Sequence, residues 1–521
     1  MKFQGFVGPT YKLNSVNVDC QRCVNLIPEK IESGTGKEAS TIYYKSAEGL
    51  QKIAEVGTGP IRLVHLDYTG QIIIVSGTEV YKLIQYSGGT ELITPVKLGD
   101  IGYSEDPPEP QADLTRQVRA VSGTGGLYGY WTIIVDGSVR NYYYDHDSND
   151  LFSNFGSFAS FGYPSVNFAT QVEYLDGYAI YISAAENKFY VSSWNDFRSV
   201  SALSFSTSEG NPDRINAIQV MDRLLYVFND KSIEVYSNTG NADFPLERVS
   251  GGFISTGNLA EYSPARNGEA IFWLGRDDNG QGTVFAMKGL TPQRISTHAI
   301  EQAISSYAKP EKAVGYCYSK DGHGFYVLNF AEASWCYDLA TGLWHERAYT
   351  DENGDLKRHR TNGVTFRATQ ISRGLTSPYF NKFFCGDYVS NKIYLLQQGY
   401  FSDDGAPLTR MRRSPHVSGA NKRVFYKRFN LDMETGVGLD GGVQGSDPQV
   451  IIRYSNDGGH TWSSEAWASA GKKIGGIGDY KKRVIWNRLG SAYDRVFEIK
   501  ITDPVDVNII GADLEIEVGS S

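Results

Sequence analysis

Between residues 61 and 396 the chain repeats one unit seven times: a run of β-branched and aromatic residues, a turn of Gly, Asp or Asn, and a second such run. The first instance is Ile61 to Leu66, a turn at Tyr68-Thr69-Gly70, then Gln71 to Val75 and Val80 to Ile84. The second runs from Leu127 to Val135 and Val139 to Tyr144 around Asp136-Gly137. Others span Val172 to Val191 (turn Asp176-Gly177), Ile215 to Tyr236 (turns Met221-Asp222 and Asn229-Asp230), Ala270 to Met287, Ala313 to Tyr337 (turn Lys320-Asp321-Gly322) and Phe383 to Leu396. Such runs between turn residues are strands. A unit this small cannot bury both faces of its sheet without a neighbour, and a period of roughly 45 to 70 residues is that of propeller blades. The pattern predicts an all-β chain with a β-propeller of about seven blades over residues 51–400; stacked β-sandwiches are the alternative with the same alternation.

The pattern then changes. Longer alternating runs at Val424 to Leu431, Gln449 to Tyr454, Arg483 to Trp486, Arg495 to Thr502 and Asp513 to Val518 predict a separate C-terminal β domain over 401–521. Residues 1–50 have little pattern of their own and read as an N-terminal docking arm that partly completes this domain, because an extended arm needs another surface to cover its apolar side chains. The polar, charged stretch 347–377 interrupts the blade spacing and reads as a long inserted loop, a place where partner contacts concentrate. One segment is helical in pattern: Ser296 or Thr297 caps a run whose Ala299, Ile300, Ala303 and Ile304 share a face.

Tyrosine (34), phenylalanine (25) and glycine (56) outweigh methionine (5), as strands and tight turns require. A net charge of −9 argues against a protein that grips nucleic acid by neutralising phosphates. No stretch approaches the roughly 18 apolar residues of a membrane span, and the first residues show no apolar signal core, so the expectation is a chain made and kept soluble in a cytosol. Five cysteines in so long a chain do not make a disulfide framework. Cys20 and Cys23 form a C-x-x-C without the two further ligands that a structural zinc site needs, so they read as ordinary reduced thiols.

Candidate chemistry is sparse. Ser455-Asn456-Asp457-Gly458-Gly459-His460-Thr461-Trp462 matches S-x-D-x-G-x-T-W, the Asp-box of sialidases and related repeat proteins. In this motif, completed by Thr461, the Ser455 and Asp457 side chains can bond turn N–H groups, Gly459 supplies positive φ and Trp462 plugs the hairpin base, so the role is structural. Glycoside cleavage needs a pair of catalytic groups across a cleft, which one Asp-box does not supply. The histidines are scattered, without H-E-x-x-H. Gly123-Thr124-Gly125-Gly126 lacks a following helix and reads as a loop, and no G-x-S-x-G elbow occurs. The acidic pairs Asp277-Asp278 and Asp403-Asp404 read as turn residues. No catalytic, cofactor or metal residue is therefore assigned. The one charged cluster is Arg410, Arg412, Arg413, Lys422, Arg423, Lys427 and Arg428, with Phe425 and Tyr426 interleaved, and it reads as an interdomain or subunit contact rather than a phosphate grip.

Several segments in order carry a resemblance: Gly8-Pro-Thr-Tyr11 through Cys20-Gln-Arg-Cys23-Val-Asn-Leu-Ile-Pro28; Trp194 to Phe205 with Glu209 to Asp213, leading into Lys231 to Tyr236 and Phe244 to Arg248; Arg294 to Glu301; and Arg483 to Gly490 with Arg495 to Glu498 and Thr502 to Val505. These resemble the packaged-DNA stabilisation, or tail hub (nozzle), family of short-tailed bacteriophages. The resemblance implies a non-enzymatic virion tail protein, assembled in the host bacterial cytoplasm, that forms a hexameric ring below the portal and its head-to-tail adaptor. It further implies tailspikes or fibres and a needle or tip as partners, no cofactor, and transient passage of double-stranded DNA through a channel the ring helps to close. An acidic balance suits that passage, since a channel that bound phosphates strongly would stall DNA. The alternative function is a carbohydrate-active or carbohydrate-binding propeller, for which converging arginines and carboxylates in a pocket would be the sign.

Overall fold

The computed structural model describes the chain except residues 1, 32–41, 68–69, 85–92, 103–115, 126–128, 139–140, 146–149, 153–168, 184–186, 211–212, 277–279, 368–380, 475–476 and 520–521 and positions 198, 202, 209 and 398. The turn residues Tyr68 and Thr69, Leu127, Val139, Gly126 and the pair Asp277-Asp278 lie outside the described residues.

Short hairpins set the local geometry. Leu175 pairs with Tyr178, Met221 with Leu224 and Lys320 with His323, so each loop has two residues. The pairs in those loops, Asp176-Gly177, Asp222-Arg223 and Asp321-Gly322, all have positive φ, the geometry whose twist matches that of the flanking strands.

Five antiparallel four-stranded sheets follow one another from Ile61–Leu66 to Thr291–Arg294. A sixth blade comprises Val314–Lys320, His323–Asn329, Ser334–Asp338 and Leu343–Thr350, and a seventh Thr361–Arg367, Lys382–Asp387 and Lys392–Leu396. Leu50–Glu55 pairs antiparallel with Lys392–Leu396 and supplies the seventh blade's fourth strand, so a segment preceding the first blade closes the ring. The first strands of the blades pack side by side around a central axis, with Thr361–Arg367 against Ile61–Leu66. The fold is thus a β-propeller of seven blades among the described residues, and stacked sandwiches are excluded for this part of the chain.

Apolar alternation explains the stacking. Each pair of neighbouring blades encloses a buried cluster, such as Trp131, Tyr181 and Phe197 between the second and third, or Phe228 and Trp273 between the fourth and fifth. The Trp131 and Phe197 rings lie 4.2 Å apart. The predicted helix forms over His298–Ser305 with Thr297 as N-cap, and buries Ala299, Ile300 and Ile304, the two isoleucines entering the cluster between blades five and six.

Two expectations are corrected. Gly123 to Gly125 form part of the strand Arg119–Gly125, where Gly123 faces Trp131 across the pair. An added Cβ would meet that ring at 2.9 Å, so the glycine makes room for the indole. The segment read as an inserted loop contains the end of Leu343–Thr350, Leu356–Arg358 and Thr361–Arg367, the innermost strand of blade seven; residues 368–377 lie outside the described residues. That strand is polar because its Asn362 and Thr365 line the axis instead of an apolar interblade layer.

The remaining strands form a β-sandwich. One sheet has the order Leu26–Lys30, Ile42–Ser46, Asn508–Val518, Val424–Met433, Val484–Asn487. The other runs Cys20–Val24, Arg410–Arg413, Asp494–Ile501, Gln449–Ser455, Ala466–Ser469. The N-terminal arm therefore contributes strands to both sheets. Val24 also pairs with Glu346, which makes the second sandwich sheet continuous with blade six. Phe3, Phe6, Phe429 and Phe497 share the sandwich core.

Candidate functional site at the arm and sandwich junction

The strand Arg410–Arg413 is the middle of the junction, and all four of its residues are buried. The cluster predicted as one contact surface is split by it. Arg412, fully buried, donates from Nε to Phe6 O at 2.6 Å, from Nη1 to Pro9 O at 3.0 Å, and from Nη2 to Gly5 O at 3.0 Å and Gln21 Oε1 at 2.6 Å. Arg410 donates to Asp503 O, and burial pushes its guanidinium down to about 10. Arg413 pairs with Glu498 at 2.7 Å. Arg412 ties the arm to the sandwich and Arg410 and Arg413 bond within the sandwich, so the three are not an exposed partner surface.

The other four cations stay outside. A bulge between Tyr426 and Arg428 in the strand Val424–Met433 turns both Lys427 and Arg428 outward, while Tyr426 is buried and donates to Val417 O at 2.8 Å. Lys427 lies 2.7 Å from Glu517 and Arg428 3.6 Å from Glu515, and Arg423 donates to Ser491 Oγ at 3.0 Å. Lys422 is exposed beside them, as is Phe425. This is a face of interspersed charge on the sandwich, with an aromatic ring in it.

The Asp-box sits at the tip between Gln449–Ser455 and Ala466–Ser469, in the sandwich. Ser455 Oγ donates to Asp457 Oδ1 at 2.6 Å and accepts from Gly459 N at 2.7 Å. Asp457 also accepts from His460 N, Thr461 N and Thr461 Oγ1, and these bonds, that from Ser455 first, hold its carboxyl well below the usual range. Gly459 has φ 104°. Trp462 is half-buried against the guanidinium groups of Arg413 and Arg453, 4.7 and 4.8 Å from the ring, and both arginines pair with the buried Glu498. The turn is held by bonds among its own residues, and its tryptophan packs against two cations.

Cys20 and Cys23 are buried and free; Cys23 donates to Leu26 O, and burial pushes its thiol up to about 12. No cluster of three or more metal-ligating side chains occurs among the described residues.

A second clasp ties the arm to blade six. His323 Nδ1 lies 3.0 Å from both oxygens of Asp338, and Nε2 lies 2.9 Å from Glu29 Oε1. The Asp338 hydrogen bond, then that of Glu29, raises the imidazole to about 9 against the opposing desolvation. Sequence reasoning missed His323, Glu29, Asp338, Arg453 and Glu498. His323 and Glu29 are 294 positions apart, and no spacing signal links them.

At the propeller axis a cavity of about 480 Å³ is lined by Arg62, Arg119, Glu173, Gln219 and Arg266 among others. Glu173 is the one carboxylate among the described lining residues, so the pair of carboxylates that glycoside hydrolysis ordinarily uses is absent from them.

A propeller closed by an N-terminal strand and joined through one continuous sheet to a sandwich defines this as a two-module β protein. Family models match both modules: "Bacteriophage P22 Gp10, beta-propeller" over residues 20–400 and "Bacteriophage P22 Gp10, beta-sandwich" over residues 409–517. The chain belongs to the phage P22 Gp10 family, the tail hub or nozzle proteins of short-tailed phages. It is accordingly a phage tail protein of a structural family. No curated protein gives a match. Similar solved structures include the extracellular domain of the putative one-component system BT4673 from B. thetaiotaomicron, at 11% identity and TM-score 0.42 over 81% of this chain and 48% of that one. Others are the Neurospora crassa Pan2 WD40 domain (10%, TM-score 0.35, 65% of this chain and 88% of that one) and the N-terminal domain of Nup159 (10%, TM-score 0.37, 72% and 98%). This chain thus spans about half the length of the BT4673 domain.

Proposed function

We propose that the chain forms a hexameric ring below the portal and head-to-tail adaptor of a short-tailed phage, where it extends the DNA channel, helps retain packaged DNA and carries tailspikes or fibres and a needle or tip. The observation that carries this reading is the pair of family matches, which together cover the propeller and the sandwich in the order of the phage tail family. The physical build supports it. A propeller stacked through seven interblade cores is a stiff wall, because close-packed interiors deform little. An arm locked into both sandwich sheets gives the same chain a second rigid module for contacts above or beside it. The net charge of −9 suits a lumen past which DNA slides, since phosphates are not gripped. In this reading the exposed face around Lys422, Arg423, Phe425, Lys427 and Arg428 is a candidate contact for another subunit, its mixed charge favouring a protein partner over DNA.

Negative-stain microscopy of the purified chain mixed with the portal and adaptor complex of its own virus tests the proposal. An added ring below the adaptor is the expected result. Failure of any density to add, together with sugar release from a glycan panel by the chain alone, overturns it in favour of a carbohydrate-active propeller.

A further inference from the structure

We propose that the axial cavity of the propeller binds a small oxyanion, a carboxylate or phosphate group, between the guanidinium groups of Arg119 and Arg266. Four successive blades bring the relevant side chains to this one space: Arg119 from the second, Glu173 from the third, Gln219 from the fourth and Arg266 from the fifth. Arg119 is poorly matched within the protein. Its Nε is buried without a hydrogen-bond partner, its Nη2 reaches Tyr262 O only at 3.4 Å, and the guanidinium lies 5.4 Å from the Tyr262 ring centre. It has no salt bridge with a carboxylate among the described residues. Arg266 is exposed, with one N–H donated to Val220 O at 2.8 Å. By contrast Arg62 is committed to structure, donating to Arg116 O and Gly77 O.

Glu173 does not cancel this charge. Its Oε1 accepts from Gln219 Nε2 at 2.9 Å, and burial pushes its carboxyl up to about 7, so near neutrality it is partly uncharged. The described lining therefore carries more guanidinium than carboxylate charge, and hydrogen bonds from a charged donor are the strong ones. Planar guanidinium forks match the two oxygens of a carboxylate or phosphate, which defines the ligand class. A cavity of about 480 Å³ has room for a small molecule carrying such a group.

Isothermal titration calorimetry of the full chain with inorganic phosphate and, separately, with glucuronate tests this. Saturable one-to-one binding of either probe is expected, and the tighter one identifies phosphate or carboxylate as the natural group. Arg266→Gln, at an exposed position, should weaken that binding by about tenfold or more in a protein that still unfolds cooperatively, the loss of one charge-assisted hydrogen bond. Glu173→Gln should strengthen it by removing the competing carboxylate. Neither probe saturating at millimolar concentration, or undiminished binding by a folded Arg266→Gln protein, overturns the assignment.

Discussion

Replacing Arg412 with methionine removes the side chain that bonds the Gly5, Phe6 and Pro9 carbonyls of the arm. Methionine keeps the length and apolar stem but leaves the carbonyls of Gly5, Phe6 and Pro9 and the amide of Gln21 without their donor. A hydrogen bond from a charged donor contributes roughly 1.5–3 kcal/mol, so four of them exceed any plausible net effect. Two terms oppose the sum: burying the guanidinium itself costs several kcal/mol, and a released arm rehydrates its carbonyls. The net loss should be about 3–5 kcal/mol, since each neutral acceptor left unsatisfied costs roughly 1–3 kcal/mol and the relieved desolvation of the guanidinium offsets part of the sum. At about 1.4 kcal/mol per decade, opening of the arm becomes on the order of a thousandfold more frequent. Hydrogen-exchange mass spectrometry reads this directly at the Phe3 amide, bonded to Ala512 O, and the Thr10 amide, bonded to Trp344 O. The propeller amides should be unaffected. Arg412→Lys should fall between, because one ammonium cannot span all four acceptors. Unchanged exchange at Phe3 and Thr10 in folded Arg412→Met protein would refute the argument and leave Phe3 and Phe6 packing as the arm's anchor.

The His323 clasp should make stability depend on alkaline pH. A folded-state value raised from 6.5 to about 9 means its contribution is full below pH 6.5 and is lost as pH rises through 9. Partial exposure of Glu29 reduces the effect to about 1–2 kcal/mol, so melting temperature should fall from pH 6.5 to 9 in the native protein and stay flatter in His323→Gln. Gly49→Ala should weaken closure of the ring by roughly 2–3 kcal/mol in urea denaturation, since the new Cβ would meet Ser402 O at 2.0 Å and backbone cannot step aside as a side chain can. Trp273→Ala, emptying the layer between blades four and five, should cost about 3–5 kcal/mol by the same assay. Asp457→Ala should speed amide exchange at His460 and Thr461 and leave the propeller untouched, measured residue by residue.

Much of the propeller was legible because its code is local. Alternation along strands such as Ile215–Met221, and positive-φ pairs such as Asp176-Gly177, act over a few residues and survive without knowledge of the rest. Legibility failed where polarity had a tertiary cause. Thr361–Arg367 looked like loop because its face is turned to the axis, and Gly123 looked like loop because Trp131 needs its space. The Asp-box was readable since Ser455, Asp457, Gly459 and Thr461 bond one another within a single turn.

The charged cluster marks the boundary between the two kinds of information. Sequence alone determines that seven cations fall between positions 410 and 428, and that strands of this period must pair. Only tertiary structure decides that Arg412 turns inward to the arm, Arg410 to the Asp503 carbonyl and Arg413 to Glu498, while Lys427 and Arg428 turn outward. The same holds for Leu50–Glu55 closing a blade whose other strands begin at Thr361. A strand's period and a turn's φ are set by neighbours along the chain. The partner of a buried guanidinium, or of an open sheet edge, is set by which distant surface can satisfy it at least cost in desolvation and entropy.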